Sequence, residues 1–355
     1  MGPLALSVIV PMRDGARFLP QSLAALIASD LPRSRWELIV VDDSSTDQSA
    51  DIAAKYADRV VLLTNGSRGP AYARNRGAEL ARGEAVMFVD ADVSVHSDAL
   101  RRTAELFDNQ PDVAAVFGCY DSNPAAKGLL SQYRNLLHRY VHLRERGDAV
   151  TFWAGCGAVR ADVFKRLGGF DESLRKASVE DIELGYRLSD RGHRIVLLPD
   201  IQGRHLKRWT FQDMIVTDVQ QRGVPWLRIL LTRRKVRPTA TLSIRRSEQA
   251  CTALMALCWL AGAAWLWTQE TIWLVIVGVA LTSILIVNQP LITWLAQQRG
   301  WRFAAAAIPL RLLYYVLNMA SVTIALATLV LPKWPPVVRA GPPGNRPTPS
   351  ITKLQ

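Results

Sequence analysis

Val86-Met87-Phe88-Val89-Asp90-Ala91-Asp92 is the stretch that decides how this chain reads. Four apolar residues run straight into two carboxylates spaced i, i+2. A buried strand therefore delivers Asp90 and Asp92 together at the end of a sheet, where ligands bind in open α/β folds. In an extended segment the two side chains point to opposite faces, so converging them on one ion requires the chain to turn there. Two hard oxygen ligands suit Mg2+ or Mn2+, which usually completes its shell with waters and substrate phosphates. Acidic residues also end strands and open turns for purely local reasons, so Asp-x-Asp takes its meaning from its neighbours.

Strand and helix patterns alternate around it. Residues 6–10 predict a strand and 17–28 a helix with an apolar stripe. Residues 36–41 form a strand ending in Asp42-Asp43-Ser44-Ser45, and 46–56 a helix with Ser45 as its N-cap. Residues 60–63 are a strand, 69–81 a helix closed by the Gly83 turn, and 85–89 the strand quoted above. Strands separated by helices of this length call for right-handed crossovers and a largely parallel sheet. Beyond it, 114–120 predicts a strand and 125–146 a long helix, while 151–159 reads as a strand broken by Gly155 and Gly157. Residues 162–167 and 180–191 are helices that end at glycines, and 195–198 is a further strand.

The 355 residues suffice for one large domain or two smaller ones, each with its own core. Apolar residues make up 49% of the chain but are unevenly spread. Up to about Arg246 they alternate with charges; beyond it, 250–267, 272–287 and 308–331 are long and bare enough to cross a bilayer. Arg311 sits near the start of the third segment, where it could snorkel to the headgroups, and tryptophans cluster near segment ends as interfacial anchors. Residues 290–303, with Gln297, Gln298, Arg299 and Arg302, read as an amphipathic helix lying on the surface. The division expected is a cytoplasmic α/β domain over 1–245, a membrane region of about three helices over 246–332, and a disordered, Pro- and Gly-rich tail over 333–355.

The net charge of +12 suits nucleic acid, an anionic membrane surface or a phosphorylated substrate. No nucleic-acid-reading motif is present, and the clearest basic cluster (Arg233, Arg234, Lys235, Arg237, Arg245, Arg246) abuts an apolar span, so nucleic acid is the partner set aside. That cluster, against the uncharged-to-acidic link 268–271, places the large domain in the cytoplasm and the link outside. Three spans would then export a tail carrying Lys333, Arg339, Arg346 and Lys353, a mild conflict with the same rule. Cys119, Cys156, Cys251 and Cys258 have no zinc spacing and read as reduced thiols. The N-terminal apolar stretch lacks a basic n-region, stops at Pro11 and reads as a first strand.

Several segments carry candidate chemistry. Asp42 and Asp43 end a strand as Asp90 does, and carboxylates there can accept from a pyrimidine N–H or from ribose hydroxyls; helix capping accounts for one of them. Arg68, Arg74 and Arg76 surround a turn entering a helix, an anion site for a diphosphate, with a solvated helix face as the other reading of Arg76. Glu180-Asp181 opens a helix. These acids either complement its dipole, or one of them takes the proton from an acceptor hydroxyl attacking a sugar's anomeric carbon. Trp153-Ala154-Gly155-Cys156-Gly157 offers a small-residue floor, and His205-Leu206-Lys207-Arg208-Trp209 gathers a possible ligand, two cations and an aromatic plate.

Taken in order, Val8-Ile9-Val10-Pro11, Val41-Asp42-Asp43-Ser44-Ser45-Thr46-Asp47, Ala73-Arg74-Asn75-Arg76-Gly77, Asp90-Ala91-Asp92 and Glu180-Asp181 resemble a family 2 glycosyltransferase of the GT-A fold, over roughly residues 5 to 230. The fold so implied is α/β, a GT-A type mostly parallel sheet flanked by helices, followed by a C-terminal transmembrane helical region. The resemblance implies a UDP- or GDP-linked sugar donor held by Pro11, Arg13, Asp42, Asp43, Arg68, Arg74 and Asp90. It also implies Mg2+ or Mn2+ at Asp90 and Asp92, inversion at the anomeric centre, and Asp181 as general base supported by Glu180; His205 could join the metal site or the diphosphate site, or sit by the acceptor. Trp153, Gly155, Arg208 and Trp209 fall on the acceptor side. Met12-Arg13 stands where the family commonly has Tyr-Asn, and His205 stands where processive members have the Gln of Gln-x-x-Arg-Trp.

A phosphate acceptor is already ionised at neutral pH, whereas a hydroxyl needs a base. The Glu180-Asp181 pair therefore favours a hydroxyl acceptor, lipid-linked or amphiphilic given the adjacent spans, at a multi-pass cell-membrane protein. A processive polysaccharide synthase, a polyprenyl-phosphate glycosyltransferase and a catalytically silent membrane scaffold are the rival readings.

Overall fold

The computed structural model describes residues 4–64, 66–174, 179–232, 245–330 and 352–353. The basic residues 233–237 and all of the tail except Thr352 and Lys353 lie outside them. Contacts divide the chain into two compact units: Met1–Ala126 with Val141–Arg208 and Val337–Gln355, and Lys127–Tyr140 with Trp209–Pro336.

The first unit is built on one mixed sheet. Strands β1 (Leu6–Met12), β2 (Trp36–Asp42), β3 (Arg59–Leu62) and β4 (Ala85–Val89) are mutually parallel in the order β3-β2-β1-β4. Helices α1 (Leu19–Ile27), α2 (Ser49–Ala53) and α3 (Pro70–Glu79) connect them. β2 and β4 lie on opposite sides of β1, so the crossover direction reverses there and leaves a crevice at the C-terminal ends of β1 and β4. This half meets the expectation of a parallel sheet. The other half departs from it, because β8 (Cys156–Arg160) runs antiparallel between β4 and β6 (Val113–Tyr120). β9 (Arg194–His205) then pairs parallel with β6 and antiparallel with β5 (Val93–Val95) and β7 (Gly147–Ala149). Thr352–Lys353, β10, pairs antiparallel with β3.

Both faces of the central strands are covered, so they read as continuous apolar runs. Their residues still separate by parity. Leu6, Val8, Val10, Met12, Met87 and Val89 pack into one core with α1 and with α4 (Ala99–Asn109). Ile9, Val86 and Phe88 pack into the other, with α3, α6 (Ala161–Arg166) and α7 (Glu180–Asp190). Asp90 continues the parity of Val86 and Phe88 and therefore emerges on the side of α3 and α7.

Several local expectations shift. Ser45 does not cap a helix over 46–56; α2 is shorter, and the Ser45 hydroxyl instead accepts from the Asp14 N–H (2.9 Å). The strand expected at 195–198 extends to His205, past a register shift opposite Phe117 and Cys119 that accommodates Pro199. Residues 151–155 lie outside β8. Gly157 is needed there because a Cβ would stand 2.4 Å from the Trp153 carbonyl oxygen and 2.8 Å from the Phe152 ring. Gly157→Ala is expected to destabilise the protein by about 1–3 kcal/mol, read from thermal denaturation, as for other overpacked cores.

The second unit is helical. It comprises the Leu129–Tyr140 part of α5 (Leu129–Arg144), then α8 (Phe211–Ile215), which passes through a π-helical stretch (Val216–Gly223) into α9 (Val224–Thr232). Three long helices follow: α10 (Arg246–Thr268), α11 (Thr271–Arg299) and α12 (Trp301–Val330). All three are long and apolar enough to cross a membrane. The segment 290–303 is not the separate surface helix expected: Pro290 lies inside α11, and the break falls at Gly300 (φ +84°). Arg311 does not snorkel either. It is buried and pairs with Glu248 at 2.6 Å and with Asn288 at 2.6 Å.

Candidate active site

The Asp90-Ala91-Asp92 turn forms as the strand ends: the Val93 N–H donates to the Asp90 carbonyl (2.9 Å), and the chain folds back into β5. Both carboxylates are half-buried. Arg74, on the second turn of α3 and buried, reaches across to them. Its Nη2 donates to Asp90 Oδ1 (2.7 Å) and its Nη1 to Glu180 Oε1 (2.8 Å), with Phe170 beneath the guanidinium at 5.4 Å. Asp181 also lies within its electrostatic reach. One buried arginine thus gathers the strand-end aspartate and the acids that open α7. Burial disfavours the Arg74 cation, but Asp90, Glu180 and Asp181 outweigh that and raise its pKa.

Glu180 is not spent on capping α7: its helix has no side-chain cap bond, and its carboxylate is turned to Arg74. Asp181 is only half-buried. Its Oδ1 accepts from the Ile182 N–H (2.8 Å) and its Oδ2 from the Ala154 N–H (3.2 Å), which fixes the carboxylate beside the 153–155 segment.

The two aspartates of the turn titrate in opposite directions. Burial, with Asp92 adding like charge, raises the Asp90 pKa against the pull of Arg74. Burial also opposes ionisation of Asp92, but His205 and Lys207 overcome it and lower its pKa. His205 arrives there because β5 and β9 pair with Val93 opposite His205; its Nε2 lies 3.5 Å from Asp92 Oδ2. The imidazole stacks on Tyr120 (4.5 Å between centroids), and Tyr120 meets Trp153 edge-on at 4.9 Å. Tyr120 was not singled out from sequence, and its stacking on His205 depends on β9 continuing past Pro199.

The other candidate residues differ in exposure and in the partners they hold. Pro11 lies inside β1, and Arg13 is exposed just beyond it. Asp42 is buried and accepts from the Ser45 N–H (2.8 Å). Asp43 has both oxygens occupied by the loop that enters α3: they accept from Ser67 Oγ (2.7 Å), the Arg68 N–H (3.0 Å) and the Gly69 N–H (2.8 Å). Gly69 turns at φ +94°, where a side chain would be strained. Asp43→Ala strands these donors and is expected to cost about 1–3 kcal/mol of stability, measured by thermal denaturation. Arg68 packs over Tyr72 at 4.1 Å. Arg76 is neither solvated nor at the turn: it is buried, paired with Glu79 (2.8 Å) and Glu172 (3.0 Å). Gly155 has a reason besides ligand approach, since the Trp153 indole lies over it where a Cβ would come within 2.4 Å. Arg208 is exposed, and Trp209, in the second unit, has Arg134 over its ring at 4.4 Å.

Among the described residues no three His, Cys, Asp or Glu converge as a ready metal cage. The donors at the Asp90 turn still fit a hard divalent cation. They are two accessible carboxylates, one held ionised by its neighbours, at a site where Mg2+ or Mn2+ would take its remaining oxygens from water and a diphosphate.

Comparison with known proteins bears on the family and the fold. Residues 7–168 match the model of Glycosyl transferase family 2, so the chain carries a domain of that family. Poly(ribitol-phosphate) beta-N-acetylglucosaminyltransferase TarS of Staphylococcus aureus is 37% identical over 106 residues, 29% of this chain and 18% of that protein. The probable glycosyltransferase YdaM of Bacillus subtilis is 27% identical over 206 residues, 54% of this chain and 48% of that protein. The chain therefore spans about half or less of the length of these relatives. Among solved structures, mannosyltransferase PcManGT from Pyrobaculum calidifontis, in complex with GDP-Man and Mn2+, superposes with a TM-score of 0.55 at 20% identity, covering 94% of this chain and 90% of that one. The fold is the GT-A type expected from the sequence.

Proposed function

We propose that this protein is an inverting, metal-dependent glycosyltransferase that moves a sugar from a nucleotide-sugar to a hydroxyl of a lipid-linked or amphiphilic acceptor at the cytoplasmic face of the cell membrane. The observation that carries the reading is the Arg74 bridge, which brings Asp90 and Glu180-Asp181 to one place at the C-terminal ends of the strands. In this reading Asp181 takes the proton of the acceptor hydroxyl as its oxygen attacks the anomeric carbon. The bond to the diphosphate breaks on the opposite face, and the configuration inverts. Glu180, neutralised by Arg74, fixes the start of α7 and so the position of Asp181. Asp90 and Asp92, with His205 beside them, would hold Mg2+ or Mn2+, which when bound supplies positive charge to the departing diphosphate. In this reading Arg13, Asp42 and Arg68 meet the nucleotide.

The family 2 relatives support nucleotide-sugar chemistry. TarS, by its name a transferase to poly(ribitol-phosphate), supports a hydroxyl-bearing acceptor. The three apolar helices support a membrane setting, and the basic residues before α10 support a cytoplasmic active site. The test is release of nucleoside diphosphate by the full chain in lipid nanodiscs, with Mn2+, across a panel of UDP- and GDP-sugars and polyprenyl-linked acceptors. Release from one donor, abolished by EDTA and restored by Mn2+, is expected. Release from none would leave a silent scaffold, and a ladder of products would mark a processive synthase.

A further inference from the structure

The three apolar helices are unequal: α10 has 23 residues, α11 has 29 and α12 has 30. A hydrocarbon layer of about 30 Å needs roughly 20 helical residues, so α11 and α12 each carry an excess of about two to three turns. Where that excess lies is written in what each helix exposes. Along α11, the exposed positions up to Val287 are nearly all apolar: Ile272, Leu274, Val275, Val279, Leu285 and Ile286 stand open. At Asn288 the pattern changes. From there to Pro309 the exposed positions are Gln289, Pro290, Gln297, Gly300, Trp301, Arg302, Ala305, Ala306 and Pro309, polar or small apart from the tryptophan.

The same level is marked on all three helices by one polar node. Arg311 of α12 donates from Nη2 to Glu248 of α10 (2.6 Å) and from Nε to Asn288 of α11 (2.6 Å), and Tyr315 donates to Asn288 (3.1 Å). An ion pair with its supporting amide is costly in the middle of a bilayer and far cheaper at its edge. Past the node, the α11–α12 hairpin is covered by a helix that could not lie in hydrocarbon. Tyr133 and Leu136 of α5 pack on Leu291, Leu295, Ala304 and Ala307, while Arg299 donates to Gln132 (3.0 Å) on the same helix.

We propose that the hydrocarbon layer ends at the Glu248–Asn288–Arg311 node, and that the hairpin 289–310 rises out of the bilayer as a stalk on which α5 is seated. The surface that meets lipid is then the belt formed by 250–268 of α10, 271–287 of α11 and 312–330 of α12. This inference rests on the membrane setting proposed above and is independent of the chemistry.

The test is site-directed spin labelling of full-chain variants in liposomes, each with one cysteine added to the four buried native ones, at the exposed positions Val275, Ile286, Gln289, Gln297 and Ala305. Accessibility to oxygen against a water-soluble nickel chelate is read at each, with the wild-type chain as background. Val275 and Ile286 are expected to favour oxygen at least fivefold over Gln297 and Ala305, with the preference reversing across Asn288. Oxygen preference continuing through Gln297 and Ala305 would mean that the whole hairpin is immersed, and would overturn the stalk alone. Nickel preference at Val275 and Ile286 would overturn the membrane setting with it.

Discussion

Asp181→Asn is expected to lower turnover by about 10²–10⁴-fold, the usual contribution of a positioned general base, while donor affinity and thermal stability stay close to those of the parent. The reason lies in what asparagine keeps. Asp181 is half-exposed, and it accepts hydrogen bonds from the Ile182 and Ala154 N–H groups, for which an asparagine keeps the shape and one accepting oxygen. What the substitution removes is the ability to accept a proton. Single-turnover rates alongside calorimetric titration of the nucleotide-sugar separate the two effects. Turnover within tenfold of the parent would remove Asp181 as the base and point to an acceptor that arrives ionised, as a polyprenyl phosphate does.

Arg74→Met is expected to be the most damaging single substitution in the first unit. The guanidinium is buried and is shared by Glu180, equally buried, and the half-buried Asp90. Removing it leaves Glu180 as an uncompensated interior charge, and breaking a buried pair in this way costs about 3–5 kcal/mol. A lower thermal denaturation temperature and loss of nucleoside diphosphate release should appear together. Arg74→Lys separates fold from bridge if the methionine variant does not accumulate. Lysine keeps the charge, but a single ammonium does not reproduce the planar two-point contact, so the stability loss should be smaller while activity remains low. Full activity in Arg74→Lys would show that spanning Asp90 and Glu180 is unimportant.

Period and punctuation made much of this protein readable. The apolar runs ending in Asp42 and Asp90, the glycines closing helices and the long bare segments after Arg246 each report a local cause, and the strands, α3, α7 and three apolar helices stand near where those signals place them. Arg74, Asp90, Glu180 and Asp181 were legible as candidates for the same reason. Local signals misled where a residue's duty is set by a distant partner. Arg76 read either as part of an anion site or as a solvated helix cation, and is buried against Glu172; Arg311 read as a snorkelling cation and pairs with Glu248 and Asn288.

The sequence by itself therefore determined most of the strands and long helices and which residues are candidates for chemistry, because strand parity, helix period and turn preference act over a few neighbouring residues. The tertiary structure alone decided the antiparallel insertion of β8 between β4 and β6, the delivery of His205 to Asp92 by the register of β5 with β9, and the choice of Arg74 rather than Arg76 as the bridge. Each joins residues far apart in the chain, and the pairing is settled by which buried charges and backbone groups find partners when the two faces of the sheet close.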